Sequence, residues 1–192
     1  YEQVLSVDNI PESLEQTTLY SLAKLYLIQE NYKKALVPLN KWFTIVESAN
    51  AESYVLRAQI YFQIEQYSKA LPDVKKAIAM TKETGNVPRE NWLMLERAVY
   101  YQNKDFNNLA RCLQDLATLY PKPQYWVQLA AVYSELNQPK KELATLETAF
   151  EQGMLTKESE LVNYSQALLG QDIPYKAANI LVAGMEKGVI KE

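Results

Sequence analysis

Histidine is absent from this 192-residue chain, and cysteine occurs once, as Cys112. Histidine is the commonest general base and the commonest metal ligand in proteins, so zinc, haem and triad chemistry are disfavoured. Cys112 cannot form an internal disulfide, and its neighbours Leu109, Leu113 and Leu116 indicate a small core residue. The sequence therefore predicts no catalytic residue, no metal site and no cofactor, and we expect a protein that is not an enzyme.

Glycine and long apolar runs are also scarce. Five glycines leave little material for the tight turns of a β-sheet or for a phosphate-binding loop. No apolar segment approaches the roughly 18 to 20 residues that a membrane-spanning helix needs. Twenty basic and 23 acidic residues give a formal net charge of -3, which is too balanced for a partner held through phosphate contacts. We expect a helical protein with no nucleic-acid partner and no membrane span in this stretch.

Aromatic residues recur along the chain at a regular spacing. Tyr26, Tyr61, Tyr100 and Tyr133 stand 35, 39 and 33 residues apart, and Leu168 continues the series 35 residues later. A period of this length is typical of proteins built from stacked helical repeats. The spacing therefore predicts about five repeats, each a pair of helices.

Within each repeat, a large residue, an aliphatic residue, a small residue and an aromatic residue share one face of the first helix, helix A. The fourth repeat shows the pattern best, with Trp126, Leu129, Ala130 and Tyr133. The pattern resembles that of tetratricopeptide repeats, which implies an all-α solenoid of antiparallel helix pairs, a superhelix. Arg57 stands where the second repeat should carry an aliphatic residue. We expect its stem to lie along the core and its charged head to reach water.

The second helix of each repeat, helix B, has its own pattern. An aromatic residue begins it, a small residue follows three positions later, and an aliphatic residue comes four after that, as in Tyr32, Ala35 and Leu39. The fourth repeat departs from this pattern, because Glu142 stands where the small residue is expected. In the fifth repeat Pro174 takes the first place, which suits the first turn of a helix.

These patterns predict a single array over residues 1–192. Residues 1–10 are interpreted as the end of a truncated preceding repeat, because the sequence from Tyr1 to Leu5 resembles the later half of a helix B. The complete repeats are predicted at about residues 16–49, 51–84, 90–123, 123–156 and 158–191.

Several unbroken strings give a narrower resemblance. They are the stretch from Leu19 through Leu27, Lys41-Trp42-Phe43, Glu90-Asn91-Trp92-Leu93, Tyr125 through Leu129, Gly153 through Val162, and Pro174 through Ala178. Together they resemble bacterial tetratricopeptide proteins of TonB systems, which are encoded beside TonB, ExbB and ExbD. The resemblance implies a periplasmic accessory of energy-dependent iron-complex uptake, with a TonB-system component as its partner. It implies no catalytic residue.

In the tetratricopeptide pattern, positions 2, 5, 9 and 12 of each helix A line a concave groove. The predicted groove comprises Tyr20, Lys24, Leu27, Val55, Gln59, Phe62, Met94, Tyr101 and Val127. Ala131, Ser134 and Gln166 hold the same positions in the fourth and fifth repeats. Apolar and aromatic groove residues suit an extended or helical segment of a partner protein. The other interpretation is that these side chains only complete the packing between adjacent helices A.

The sequence leaves several functions open. One is the protein-binding scaffold in the periplasm that the TonB resemblance implies. Others are a general tetratricopeptide adaptor for envelope assembly or for a cytoplasmic complex, and the non-catalytic part of a larger multidomain enzyme. A chaperone-tail adaptor is disfavoured, because Tyr20, Leu56 and Leu95 stand at positions where the carboxylate clamp of such adaptors needs polar or basic residues.

Overall fold

In the computed structural model, residues 1–6 and 9–191 form α-helices and turns, with no strand among them. Val7, Asp8 and Glu192, which fall within the predicted array, lie outside these described residues. The helices are α1 (Glu2–Leu5), α2 (Glu12–Ile28), α3 (Tyr32–Ile45), α4 (Ala51–Gln63), α5 (Tyr67–Glu83), α6 (Glu90–Gln102), α7 (Phe106–Leu119), α8 (Pro123–Glu135), α9 (Pro139–Glu151), α10 (Glu158–Leu169) and α11 (Pro174–Glu186). The all-α prediction is confirmed.

The chain divides into two compact bodies. The N-terminal body, Tyr1–Asn103, contains α1 to α6, and the C-terminal body, Lys104–Glu192, contains α7 to α11. Within each body every helix packs against the next one along the chain, and α4 also contacts α6. This is the arrangement expected of repeats that cannot bury their apolar faces alone. That all five repeats form one array stays a prediction.

The helices begin where the sequence pattern places them. Helices α4, α6, α8 and α10 start at the first residues of the second to fifth predicted repeats. Pro123, Pro139 and Pro174 each occupy the first turn of their helix, where a missing N–H removes no intrahelical bond. Cys112 is buried, as its apolar neighbours predicted.

Small residues stand where the two helices of a pair meet. Ala23 of α2 and Ala35 of α3 are fully buried in the N-terminal body, and so are Ala58 of α4 and Ala70 of α5. In the C-terminal body the Ser165 hydroxyl of α10 donates a hydrogen bond to the carbonyl oxygen of Ala177 in α11, at 3.3 Å. A single side-chain atom therefore bridges those two helices, and a larger residue at such a contact would force them apart.

The turn from helix A to helix B has the same geometry in each repeat. Each contains one non-glycine residue in the left-handed region, and these are Glu30, Glu65, Lys104, Asn137 and Asp172, with φ between 52° and 61°. In four of the turns the next N–H donates to a carbonyl five residues back, as in a Schellman motif. The donor–acceptor pairs are Asn31–Tyr26, Gln66–Tyr61, Gln138–Tyr133 and Ile173–Leu168, at 2.8 to 3.0 Å. In these four repeats the turn is therefore hydrogen-bonded to the recurring tyrosine or leucine of helix A.

Arg57 differs from its predicted position. Its guanidinium is mostly withdrawn from water and forms two hydrogen bonds with Asp73 of α5, Nε to Oδ2 at 2.6 Å and an Nη to Oδ1 at 2.7 Å. The same guanidinium lies over the Phe43 ring of α3, with Cζ 3.7 Å from the ring centroid. The two side chains are only 20% and 9% exposed. The charge is held inside the packing because a carboxylate and an aromatic face surround it.

We predict that Ala70→Leu destabilises the N-terminal body by about 1 to 3 kcal/mol, because the added carbons have no space between α4 and α5. The matched control is Ala79→Leu, which adds the same atoms to an exposed position of the same helix. Urea unfolding followed by circular dichroism measures both changes. Equal stability of the two variants would contradict close packing at Ala70.

We predict that Asp73→Ala destabilises the chain by about 3 kcal/mol, because it leaves the Arg57 charge in the core without its partner. The double variant Arg57→Leu/Asp73→Ala should lose less free energy of unfolding than the two single variants lose together. Chemical unfolding of the four proteins gives this double-mutant cycle. Strict additivity would show that the pair contributes nothing.

Candidate functional site

Eight of the nine predicted groove residues lie in the N-terminal body, on α2, α4 and α6. Met94 and Tyr101 of α6 are exposed, the latter by 63%, and Lys24 of α2 is also exposed. The half-buried members are Tyr20, Leu27, Gln59 and Phe62. The face therefore presents aromatic and apolar atoms to solvent beside a lysine.

Val55 differs from this expectation. It is only 4% exposed, so it belongs to the packed interior of the N-terminal body and offers almost no surface to a partner. Phe62 is partly committed to the fold as well, since its ring centroid lies 5.4 Å from that of Tyr67 at the start of α5. The surface available for binding is thus narrower than the sequence pattern indicated.

Glu52, at position 2 of the second repeat, forms an ion pair with a residue at the start of α6. Burial, and then the negative charge of Glu52, raises the pKa of the Tyr20 hydroxyl above its ordinary value. Glu52 forms an ion pair with Arg89, the N-cap of α6, at 2.8 Å. The Arg89 guanidinium lies 5.1 Å from the ring centroid of Trp92. The ion pair therefore connects the first turn of α4 with the start of α6.

Tyr20 is the best-anchored side chain of this face. Its ring packs against Trp42 of α3, with centroids 5.0 Å apart, and the Lys24 ammonium lies 5.5 Å from the Tyr20 centroid. Such contacts fix the ring before any partner arrives, which lowers the entropy lost on binding. Tyr20 is suited to be a preformed anchor, whereas Tyr101 is a free contact on the surface.

In the C-terminal body, Val127 lines a cavity of about 500 Å³ bounded by α8, α9 and α10. Ala131, Ser134 and Gln166, which hold the same sequence positions as the predicted groove residues, also line it. The cavity arises because the facing residues are small. Four residues at groove positions of the sequence pattern therefore line one cavity of this body.

Sequence reasoning missed the acidic lining of this cavity. Glu135 and Glu142 stand in its wall, together with Asn163 and Gln171. Glu142 was visible as the one acidic residue at a place where helix B should carry a small residue. A charged group at a packed position is a signal that the position faces a cavity, and it could have drawn attention to this wall.

The ion pair between Arg89 and Glu52 was missed too, because the two residues are 37 positions apart in sequence. Among the described residues, no group of three or more His, Cys, Asp and Glu side chains is placed to hold a metal ion. None of the described helices combines the length and the apolar character needed to cross a membrane.

Comparison with known proteins agrees with this geometry. The sequence profile of the tetratricopeptide repeat family matches residues 51–84, which are the predicted second repeat. MamA from Desulfovibrio magneticus RS-1 superposes with a TM-score of 0.61 at 14% sequence identity, over 90% of this chain and 94% of MamA. The chain has the tetratricopeptide repeat fold. Proteins with this fold generally act as interaction scaffolds without catalytic groups of their own.

Two further relatives are informative about the fold family. YrrB, described as a tetratricopeptide protein with an unusual peptide-binding site, superposes with a TM-score of 0.62 at 16% identity, over 88% of this chain and 84% of YrrB. The human mitochondrial import receptor subunit TOM70 is 32% identical over 112 residues. That match covers 54% of this chain but only 18% of TOM70, so the chain spans less than a fifth of its relative.

The adjacent residues Tyr100 and Tyr101 give a direct stability test of the two faces of α6. Tyr100 is 5% exposed and Tyr101 is 63% exposed. We predict that Tyr100→Ala destabilises the tetratricopeptide fold by about 3 kcal/mol or more, because it empties a packed site. Tyr101→Ala should change stability by no more than about 0.5 kcal/mol. Thermal unfolding of both variants checks this, and a large loss for Tyr101→Ala would place that ring in the core.

Proposed function

We propose that this chain is a protein-binding scaffold, and that the predicted groove of the N-terminal body holds a segment of the partner. The observation that carries the proposal is the exposure of Met94 and Tyr101 on α6, in the same body as Tyr20, whose ring packs on Trp42. Methionine and tyrosine are enriched at protein interfaces, and tyrosine buries a large area at a low entropic cost. The proposal assigns no chemical step to the chain.

Binding at this face depends on apolar anchors more than on ion pairs. The charged groups beside the anchors are exposed, and Glu52 and Arg89 already satisfy each other. Exposed ion pairs contribute at most about 1 kcal/mol and are screened by salt. Aromatic anchors that become fully desolvated contribute more, so the partner segment must itself be apolar where it meets Met94 and Tyr101.

The finer part of the proposal concerns the partner and the compartment. The strings quoted above resemble tetratricopeptide proteins of TonB systems. On that resemblance we propose a periplasmic accessory of the TonB–ExbB–ExbD energy-transduction system for iron-complex uptake, bound to one of its components. Two relatives bear on binding itself: YrrB is described by its peptide-binding site, and TOM70 is an import receptor subunit. They support a protein ligand without indicating which one.

The test is direct binding of the purified periplasmic domains of TonB and ExbD to the chain, measured by calorimetry. We expect one of them to bind, and Met94→Ala/Tyr101→Ala to weaken binding by about 2 kcal/mol, which is roughly a thirtyfold rise in Kd. The matched control is Tyr175→Ala, which removes an 80% exposed tyrosine from α11 in the other body. It should leave the Kd unchanged.

The outcomes test the protein-binding groove and the TonB role separately. If neither domain binds, the TonB role fails, and the adaptor functions for envelope assembly or a cytoplasmic complex take its place. If a domain binds but the control weakens binding as much as the groove variant does, the binding face is not the predicted groove. Equal thermal stability of the variants shows that weaker binding is not caused by unfolding.

A further inference from the structure

The cavity of the C-terminal body has a chemistry that the apolar groove of the N-terminal body lacks. It opens between α8 and α10, where Ala131, Ala167 and Gly170 leave space for about 500 Å³. A volume in this range is typical of pockets that take a discrete ligand group. Its floor is apolar, with Val127 and Leu146 among the lining residues. A flexible aliphatic chain could therefore lie along it.

The walls of the cavity are negatively charged. Glu135 and Glu142 line it, and neither forms an ion pair with another described residue. The third carboxylate, Glu160, is already used, because it accepts hydrogen bonds from the N–H groups of Thr156 and Lys157 at 2.9 and 3.1 Å. In the described part of the chain no lysine or arginine lines the cavity. Two carboxylates thus face this space without a cation to compensate them.

The carboxyl ends of two helices add to the negative electrostatic potential of the cavity. Helix α8 ends at Glu135, and α10 ends at Leu169, directly before the lining residues Gly170 and Gln171. The carboxyl end of a helix carries a partial negative charge, which favours a cation nearby. Helix α9 begins at this end of the cavity with Pro139, and proline has no N–H to offer an anion. The carboxyl ends of α8 and α10 and the carboxylates therefore favour a cation, and the amino end of α9, which lacks one N–H at Pro139, opposes them only in part.

The required cation is one carried by a side chain. The described residues hold no group of three or more His, Cys, Asp and Glu placed for a metal ion. A lysine or arginine can lay its aliphatic stem on Val127 and Ala131 while its charged head reaches the carboxylates. We propose that the cavity receives a lysine or arginine side chain from a partner protein segment that lies along α8 and α10. The inference rests on the proposed function, since it assumes that the chain binds a protein segment.

The test starts from peptides. A display library of random ten-residue linear peptides is selected on the 192-residue chain, and lysine or arginine should be enriched at one shared position. The best peptide is then synthesised with its basic residue and with norleucine in its place. We expect the norleucine peptide to bind about tenfold or more weakly, measured by fluorescence anisotropy, because a desolvated charge pair is lost.

Variants of the chain show whether the cavity carboxylates cause the difference in binding between the two peptides. Glu135→Gln/Glu142→Gln should bind the two peptides equally, while Glu151→Gln/Glu186→Gln, which removes two exposed charges outside the cavity, should keep the difference. Ala131→Leu should weaken the basic peptide by filling the cavity. Circular dichroism and thermal unfolding confirm that each variant is folded.

Three results would overturn the inference. They are peptides selected without a basic residue, a basic preference that survives in Glu135→Gln/Glu142→Gln, and a preference lost equally in the control variant. In each case the scaffold proposal stands, because peptide binding itself was observed. If no peptide is selected at all, this inference fails, and the scaffold proposal is decided separately by the TonB and ExbD binding measurement.

Discussion

Close approach of the two helices in each pair is the constraint on which the rest of the fold depends. Ala23, Ala35, Ala58 and Ala70 are fully buried at these contacts, and the Ser165 hydroxyl reaches the carbonyl of Ala177 across the fifth pair. Only small residues allow helix surfaces to come this near, and dispersion contacts of neighbouring large residues depend on that distance. The recurring left-handed turn residues then fix where helix B starts relative to the end of helix A.

This constraint also decides which residues are left for binding. Helix A uses one face to pack on helix B and on the next pair, and the face beside it carries side chains that the fold does not require. In the N-terminal body that face holds Met94 and Tyr101, while in the C-terminal body it opens into a cavity with Glu135 and Glu142 in its wall. The two bodies repeat one architecture and present different chemistries.

Much of the fold could be predicted from the sequence because its signal is periodic. The starts of α4, α6, α8 and α10 follow from residues that recur in phase, since each repeat must place the same types at the same contacts. The destination of the Arg57 head could not be predicted, because its partner Asp73 lies on another helix and breaks no pattern. The burial of Val55 and the volume of the cavity depend on how neighbouring helices sit against each other, which position within one helix does not specify.

Adjacent residues of one helix A therefore have different roles, one in packing and the other at the surface. Tyr100 is held by the core and Tyr101 is exposed, and likewise Ala130 is buried while Ala131 is exposed. A substitution at the first residue of either pair alters the contacts between helices and therefore destabilises the repeat. A change at the second alters only the surface that a partner meets, at little cost in stability. Partner choice in this architecture can thus vary one exposed position at a time while the repeat that presents it stays fixed, and the partner's chemistry is set by side chains that the periodic pattern does not determine.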